Sequence, residues 1–554
     1  MSQQHWYNHS RMERWKAVWQ RDLIFWPGVV LLALLARGVQ LTDAPLGPRE
    51  ADIAYRAAQL ARGVPVDIGP GGWLTGLLSG LFFLTGPQRL WARALPWLGG
   101  AMLPLLARGA QSWLGRTRAR WLALAWALDP ALVAASRVAW GPALAITLLL
   151  FAYGLAWHGW RTLALVLGLA ALGMGPGAAL GWPFALALVF GWWTAGRPSA
   201  RADREAGLVL AAVLLLLISG WGLAPQALFA WASGVVHYVR TWHYVGAPIA
   251  LALVLLLPLL LARTSFESRA SRADMERGLL VAGMWALAVW LLTPHRQGAD
   301  LAWVTVALWP WAIAAAPRVR PEHAGWWLGP AVAGFAVGFL LFYAQWLTPA
   351  MSASPLLRVA LLGVSLLLWV FLFIYLTSWL GSDAARWVWT WVSAAWVLVL
   401  VGMGLRHAWR AAWGDEWWQV PGASVDLEAL EQTMAQWGAW RFRRGDALPG
   451  AILARHPNLR WLHARAFPEM RERVALQPDE APPAVLAWEP VQLPRAYRGQ
   501  RFTLTEHPPS QLALGDFWPW FAYGQTTTQG LDVILLLRED LFWDARPDVT
   551  EATR

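Results

Sequence analysis

Asp43, Glu50 and Asp52 lie close together in the stretch Leu41 to Gly63, LTDAPLGPREADIAYRAAQLARG. An ionised carboxylate is an acceptor and can take a proton from a reacting hydroxyl. Glu50, with Asp52 behind it, is therefore the candidate general base, and Asp43, Tyr55 and Arg56 are candidate substrate-binding residues around it. Further along, Arg137, Arg240 and Arg296 each offer a rigid fork of donors suited to a phosphate. His237, His243 and His295 can hold a phosphate or shape the site of a second reactant, and Asp300 is placed to pair with Arg296. No metal-ligand set is defined, because His237 and His243 have no carboxylate partner at ligand spacing. Each residue also has a structural reading. Glu50 and Asp52 suit a helix N-terminus, the histidines an aromatic interfacial belt, Arg137 an anchor at a span end, and Arg296 with Asp300 a tied turn.

The element that must position the carboxylates is a Pro-Gly turn region followed by a short amphipathic helix. Ile53, Ala57 and Leu60 make its apolar stripe, and Asp52, Arg56 and Gln59 lie toward the other side. Such a helix can lie along a bilayer surface, which would put Glu50, Asp52 and Tyr55 at the mouth of an enclosed cavity.

Apolar residues make up 57% of the 554 positions and charged residues 14%, with a mean hydropathy of +0.39. This composition predicts a polytopic α-helical membrane protein. The 44 tryptophans fit an interfacial belt with further indoles packed between helices. A net charge of +11 raises nucleic acid as a partner, but the arginines fall in short loops between apolar runs, where positive-inside orientation accounts for them. With no cysteine there is no disulfide, thiolate chemistry or cysteine-based metal site. The basic run Arg11, Arg14, Lys16 and Arg21 precedes a first span without a small-residue cleavage site, so it reads as a retained anchor with the N-terminus inside.

About thirteen transmembrane helices are predicted. Residues 1–21 form a cytoplasmic interfacial segment, and residues 22–405 the membrane domain, with an outer loop over 38–91. Within that loop Trp73 to Leu84 is short for a crossing and reads as a re-entrant or surface helix. Basic loops such as GRPSARADRE and ARTSFESRASRADMERG fall on one face throughout, which places the protein in the cytoplasmic membrane, multi-pass, with its C-terminus extracytoplasmic. Residues 406–554 form a small α/β or α+β extracytoplasmic domain. Its helical spacing runs from Val425 to Trp440, and extended segments are expected at Ala451–Arg455, Leu459–Ala464, Val485–Trp488, Phe502–Leu504 and Val533–Leu537. No P-loop or dinucleotide fingerprint is present, since GMGPG lacks the strand, turn and helix context.

Three segments carry a family resemblance: APLGPREADIAYRAAQLARG, WLTGLLSGLFFLTGPQRLWARALPWLGG and LAWALDPALVAASRVAWGPALA. In their order and spacing, over residues 24–200, the chain resembles the C-type-fold integral membrane glycosyltransferases of the protein-mannosyltransferase and aminoarabinose-transferase-like group. The resemblance implies transfer of a sugar from a polyprenyl-phosphate-linked donor to a lipid, glycan or protein acceptor at the outer face of the membrane. Membrane lipids are the expected surroundings, and nucleic acid is not a partner. The family's first-loop Asp-Glu pair corresponds to Arg49-Glu50 here, so Glu50 matches and Asp43 or Asp52 would take the place of the aspartate. The cofactor is left open, with a divalent cation such as Mg or Mn as the candidate. The alternative function is a noncatalytic scaffold on the same fold that binds lipid-linked sugar.

Overall fold

The structure, a computed structural model, describes residues 22–68, 72–140, 142–174, 203–228, 301–315, 422–477, 479–507 and 529–543, with isolated positions within 185–189 and 364–409. Its first half is a set of short helices. These are α1 (residues 22–38), α2 (Pro48–Ala61), α3 (Gly72–Thr85), α4 (Arg89–Leu106), α5 (Gln111–Leu114), α6 (Arg116–Leu128), α7 (Pro130–Ser136), α8 (Pro142–Trp157), α9 (Arg161–Leu172), α10 (Arg204–Ile218) and α11 (Leu301–Ala315). The chain divides into two compact units, one of residues 1–311, 407–510 and 526–554 and one of residues 312–406 and 511–525. Everything that bears on the candidate site lies in the first unit. The described positions of the second unit are helical.

The expectation of about thirteen membrane-crossing helices is corrected. Among the described residues no helix is long and apolar enough to cross a membrane. A crossing takes about 20 consecutive apolar residues, and the apolar runs here are cut before that length. Asp129-Pro130 ends α6 and starts α7, since Pro130 cannot donate to the preceding turn and Asp129 accepts from the Leu132 amide as the new helix cap. The 18 residues of α4 include Arg93, Pro96 and Pro104. The multi-pass cytoplasmic-membrane localisation, with its inside N-terminus and outside C-terminus, rested on those spans and is corrected with them. The sixth, eighth and ninth spans and the eleventh to thirteenth fall wholly or mainly outside the described residues.

Two expectations for the opening loop also change. The buried face of α2 is Ala51, Ala54, Ala57, Ala58 and Leu60 together with Glu50, whereas Ile53 is only partly buried. Small residues let neighbouring backbones approach, so this helix is packed between other elements. Its alanines share a core cluster with Leu46, Leu78, Phe82, Ala92 and Trp461. The segment around Trp73 forms α3, which packs against α2 and α10.

The α3–α10 contact is a backbone one. A Cβ on Gly76 would stand 2.1 Å from the Leu217 carbonyl oxygen, while one on Gly72 would find its nearest neighbour at 3.3 Å. Trp221 closes the same corner, donating its indole N–H to Gly76 O and Ser79 Oγ, each at 3.0 Å. Gly76→Ala gains up to about 1 kcal/mol in helix propensity, against about 1–3 kcal/mol or more for overpacking onto a fixed carbonyl. A lowered unfolding midpoint for Gly76→Ala is therefore expected, with Gly72→Ala much closer to wild type; equal midpoints for the two would contradict the close approach.

Among the described residues the C-terminal part forms a six-stranded mixed sheet in the order β1-β5-β6-β4-β2-β3. The strands are β1 (Gly422–Ala423), β2 (Gly450–Ile452), β3 (Met470–Glu472), β4 (Ala484–Ala487), β5 (Tyr497–His507) and β6 (Gln529–Arg538). Strand β2 runs parallel to β3 and β4, and the other pairs are antiparallel. Helices α12 (Asp426–Phe442) and α13 (Pro457–Arg465) accompany them, with a last turn, α14 (Asp540–Trp543). One sheet face packs Leu486, Leu504, Val533 and Leu535 against Leu430, Met434, Leu459 and Leu462 of the helices. The extended segments expected near Val485, Phe502 and Val533 correspond to β4, β5 and β6. Leu459–Ala464, by contrast, is helical: His456 Nδ1 accepts from the Asn458 amide and Pro457 takes the first helical position, so the local signal is a cap.

Candidate functional site

The turn between α1 and α2 is irregular, so its backbone polar groups need partners from elsewhere. Arg93, on α4, supplies most of them. Its Nη1 donates to Leu41 O at 2.7 Å and Ala44 O at 3.0 Å, and its Nη2 to Pro45 O at 3.0 Å. The same guanidinium forks onto Glu50, with Nε to Oε1 at 3.0 Å and Nη2 to Oε2 at 2.7 Å. Glu50 also accepts from the Gly47 amide at 2.9 Å and the Ala139 amide at 2.7 Å. Both side chains are buried. All four acceptor positions of the Glu50 carboxylate are thus in use, and none is left for a reacting hydroxyl.

Arg137, the residue that ends α7, is similarly committed. It donates to the carbonyls of Arg37 at 3.1 Å, Val39, Gln40 at 3.4 Å and Trp409 at 3.2 Å. These are mainly the unpaired carbonyls that follow α1. A third buried arginine, Arg37, holds Ala127 O at 2.7 Å and Trp126 O at 2.9 Å at the end of α6. Burial pulls both Arg37 and Arg137 down to about 10; for Arg137 the charge of Arg93 adds to this, while Asp43 and Glu50 oppose it. The Nε of Arg37 and of Arg137 has no hydrogen-bond partner among the described residues.

The remaining carboxylates of the stretch differ from Glu50. Asp52 pairs with Arg56 at 2.8 Å one helical turn on, and Arg56 also donates to Asp67 O at 2.8 Å. Asp52 and Tyr55 lie near enough to Arg460 of α13 to raise its pKa, behind the larger effect of Glu472. Their face of α2 therefore meets α13. Asp43 is exposed and has one short-range neighbour, the Thr42 hydroxyl at 3.5 Å. The carbonyls on either side of it, Leu41 O and Ala44 O, are both gripped by Arg93 Nη1. It therefore stands on an anchored turn with its carboxylate toward solvent, attracted by the buried charge of Arg137. Arg49 lies over the ring of Trp140 at 5.5 Å.

His237, Arg240, His243, His295, Arg296 and Asp300 lie outside the described residues. Arg93, Arg37 and Asn458 were not singled out by sequence. For Arg93 the usable signal was a lone charge in the apolar run LWARALPWLGG, since a charge that is buried must be paired. For a divalent cation the described carboxylates do not fit. Glu50 is saturated, Asp52 is ion-paired, Asp43 stands alone, and among the described residues no group of three His, Cys, Asp or Glu side chains could hold a metal ion.

Two solved structures are similar to the chain. The crystal structure of ArnT from Cupriavidus metallidurans in the apo state is 16% identical with a TM-score of 0.41, over 81% of this chain and 86% of that one. The crystal structure of the same protein bound to undecaprenyl phosphate is 17% identical with a TM-score of 0.35, over 79% of this chain and 84% of that one. At these scores the likeness carries neither a reaction nor a residue correspondence to this chain. No family model matches the chain, and no curated protein matches it.

Proposed function

We propose that the chain transfers a sugar from a polyprenyl-phosphate-linked donor to a lipid, glycan or protein acceptor, with Asp43 as the general base. The observation that carries this reading is the Asp43 turn: an exposed carboxylate on backbone whose carbonyls two residues before it, at Leu41, and one after it, at Ala44, are held by a buried arginine. Preorganised placement of a base is what proton removal from an acceptor hydroxyl requires. In the reaction the acceptor oxygen gives its proton to Asp43 and bonds to the sugar's anomeric carbon. The bond from that carbon to the phosphate oxygen breaks, and the polyprenyl phosphate leaves with the electron pair. Positive charge stabilises that leaving group; Arg240 and Arg296 are the proposed donors, with Arg137 contributing its charge from beneath the turn.

A second reading is favoured by a specific observation: Glu50 and Arg137 are engaged by the fold itself. On that reading the protein binds the lipid-linked sugar without chemistry. The test is incubation of the full chain with a polyprenyl-phosphate-linked radiolabelled sugar in detergent and each acceptor class in turn. Label moving to an acceptor, with polyprenyl phosphate released, is the expected result. Saturable binding of the donor with no transfer to any class would replace the enzyme reading by the scaffold reading.

A further inference from the structure

The turn that carries Asp43 is held from a second side. Leu41, Ala44 and Pro45 give their carbonyls to Arg93, but the Leu46 carbonyl is held by Asn458, whose Nδ2 donates to it at 2.9 Å across 412 residues of sequence. Asn458 is buried and belongs to α13. Pro457 and the His456 cap set the first turn of that helix and so place the Asn458 backbone, while the side chain's hydrogen bond to Leu46 orients its amide. On the same face, at helical spacing, Trp461 stacks on Phe82 of α3 with ring centroids 5.9 Å apart, and Arg465 pairs with Glu431, which Arg89 of α4 reaches at 3.0 Å. Arg62, at the end of α2, donates to the Ala464 carbonyl. The contacts made by α13 thus converge on the turn and on the helices that hold it.

We propose that α13 is a positioning element for the Asp43 turn, with Asn458 as its positioning residue, so that the C-terminal sheet unit sets the conformation of a site built in the N-terminal helices. The bearing on transfer rests on the function proposed above; the mechanical linkage does not. A residue in this place acts through the Leu46 backbone and touches no reactant.

Asn458→Leu keeps the volume and removes the donor. In the full chain, hydrogen exchange of the Leu41–Gly47 amides is expected to quicken by about tenfold, the scale of one buried hydrogen bond, while amides of β4, β5 and β6 exchange as in wild type. Unchanged exchange in the turn would overturn the proposal, and so would an equal rise throughout the sheet, which would mark Asn458 as an ordinary core residue. Should Asn458→Leu not accumulate as folded protein, Arg62→Met carries the same test through the Ala464 contact, with faster turn exchange supporting the linkage and unaltered exchange refuting it. Where wild type shows transfer, Asn458→Leu lowers kcat about tenfold with KM for the donor unchanged. If wild type shows no transfer, the function proposed above fails and the exchange result still decides the linkage.

Discussion

Arg93→Met is expected to release the turn between α1 and α2, with exchange of the Leu41–Gly47 amides rising about 10²–10³-fold. Removing one partner of a buried ion pair costs about 3–5 kcal/mol, because the other charge stays buried without compensation. Here the partner is Glu50, and the same truncation strips three carbonyls of their donor. Arg93→Lys is not a conservative replacement, since one ammonium cannot reproduce the fork that reaches Glu50 and the three carbonyls together. The double variant Arg93→Met with Glu50→Met removes both charges and is expected to regain part of the loss. Exchange in Arg93→Met matching wild type would show that the pair does not hold the turn.

Asp43→Asn is expected to lower sugar transfer by about 10²–10⁴-fold, the range for loss of a positioned general base, with donor binding retained. The amide keeps the shape of the side chain and removes only its capacity to take a proton. Asp43 makes one weak contact with Thr42, so stability should move little. The two neighbouring carboxylates give the contrast. Glu50→Gln turns its amide hydrogens toward Arg93 and one backbone amide, that of Gly47 or of Ala139, so its effect is on folding. Asp52→Asn loses a partly exposed pair with Arg56, worth about 0–1 kcal/mol. Normal transfer by Asp43→Asn together with loss in Asp52→Asn would move the base to Asp52.

The sequence marked the stretch from Leu41 to Gly63 without settling which of its carboxylates the fold engages. The turn, the helix after it and the cluster of Asp43, Glu50 and Asp52 were legible from Pro, Gly and charge. The fate of Glu50 depends on Arg93 and on the Ala139 amide, both distant in sequence. No local pattern reports a partner of that kind. The α2 stripe was read in part: Ala57 and Leu60 are buried and Ile53 packs partly buried against the same cluster, but the buried face also takes in Ala51, Ala54 and Ala58, because other helices come close on that side. Mean hydropathy over the first half pointed to spans, but hydropathy does not register where a helix stops, and Asp129-Pro130 and the prolines of α4 are stops or kinks. In the C-terminal part β4, β5 and β6 were readable as short apolar runs, β1 and β3 were too short to be read, and α13 was hidden by its length and given away only by its cap.

The bond between Asn458 and Leu46 also bears on how the protein is made. The turn leaves the ribosome well before its last partner, which is 412 residues behind it. At about 5–20 residues per second this interval is on the order of 20–80 s. Through that time the Leu46 carbonyl stays hydrated and the alanine face of α2 lacks the indole of Trp461 that covers it in the finished fold. A nascent chain halted before residue 457 therefore carries the Asp43 turn without its clamp. Maturation of the site awaits the emergence of α13, and a protease added to stalled chains should cut near Leu46 until then.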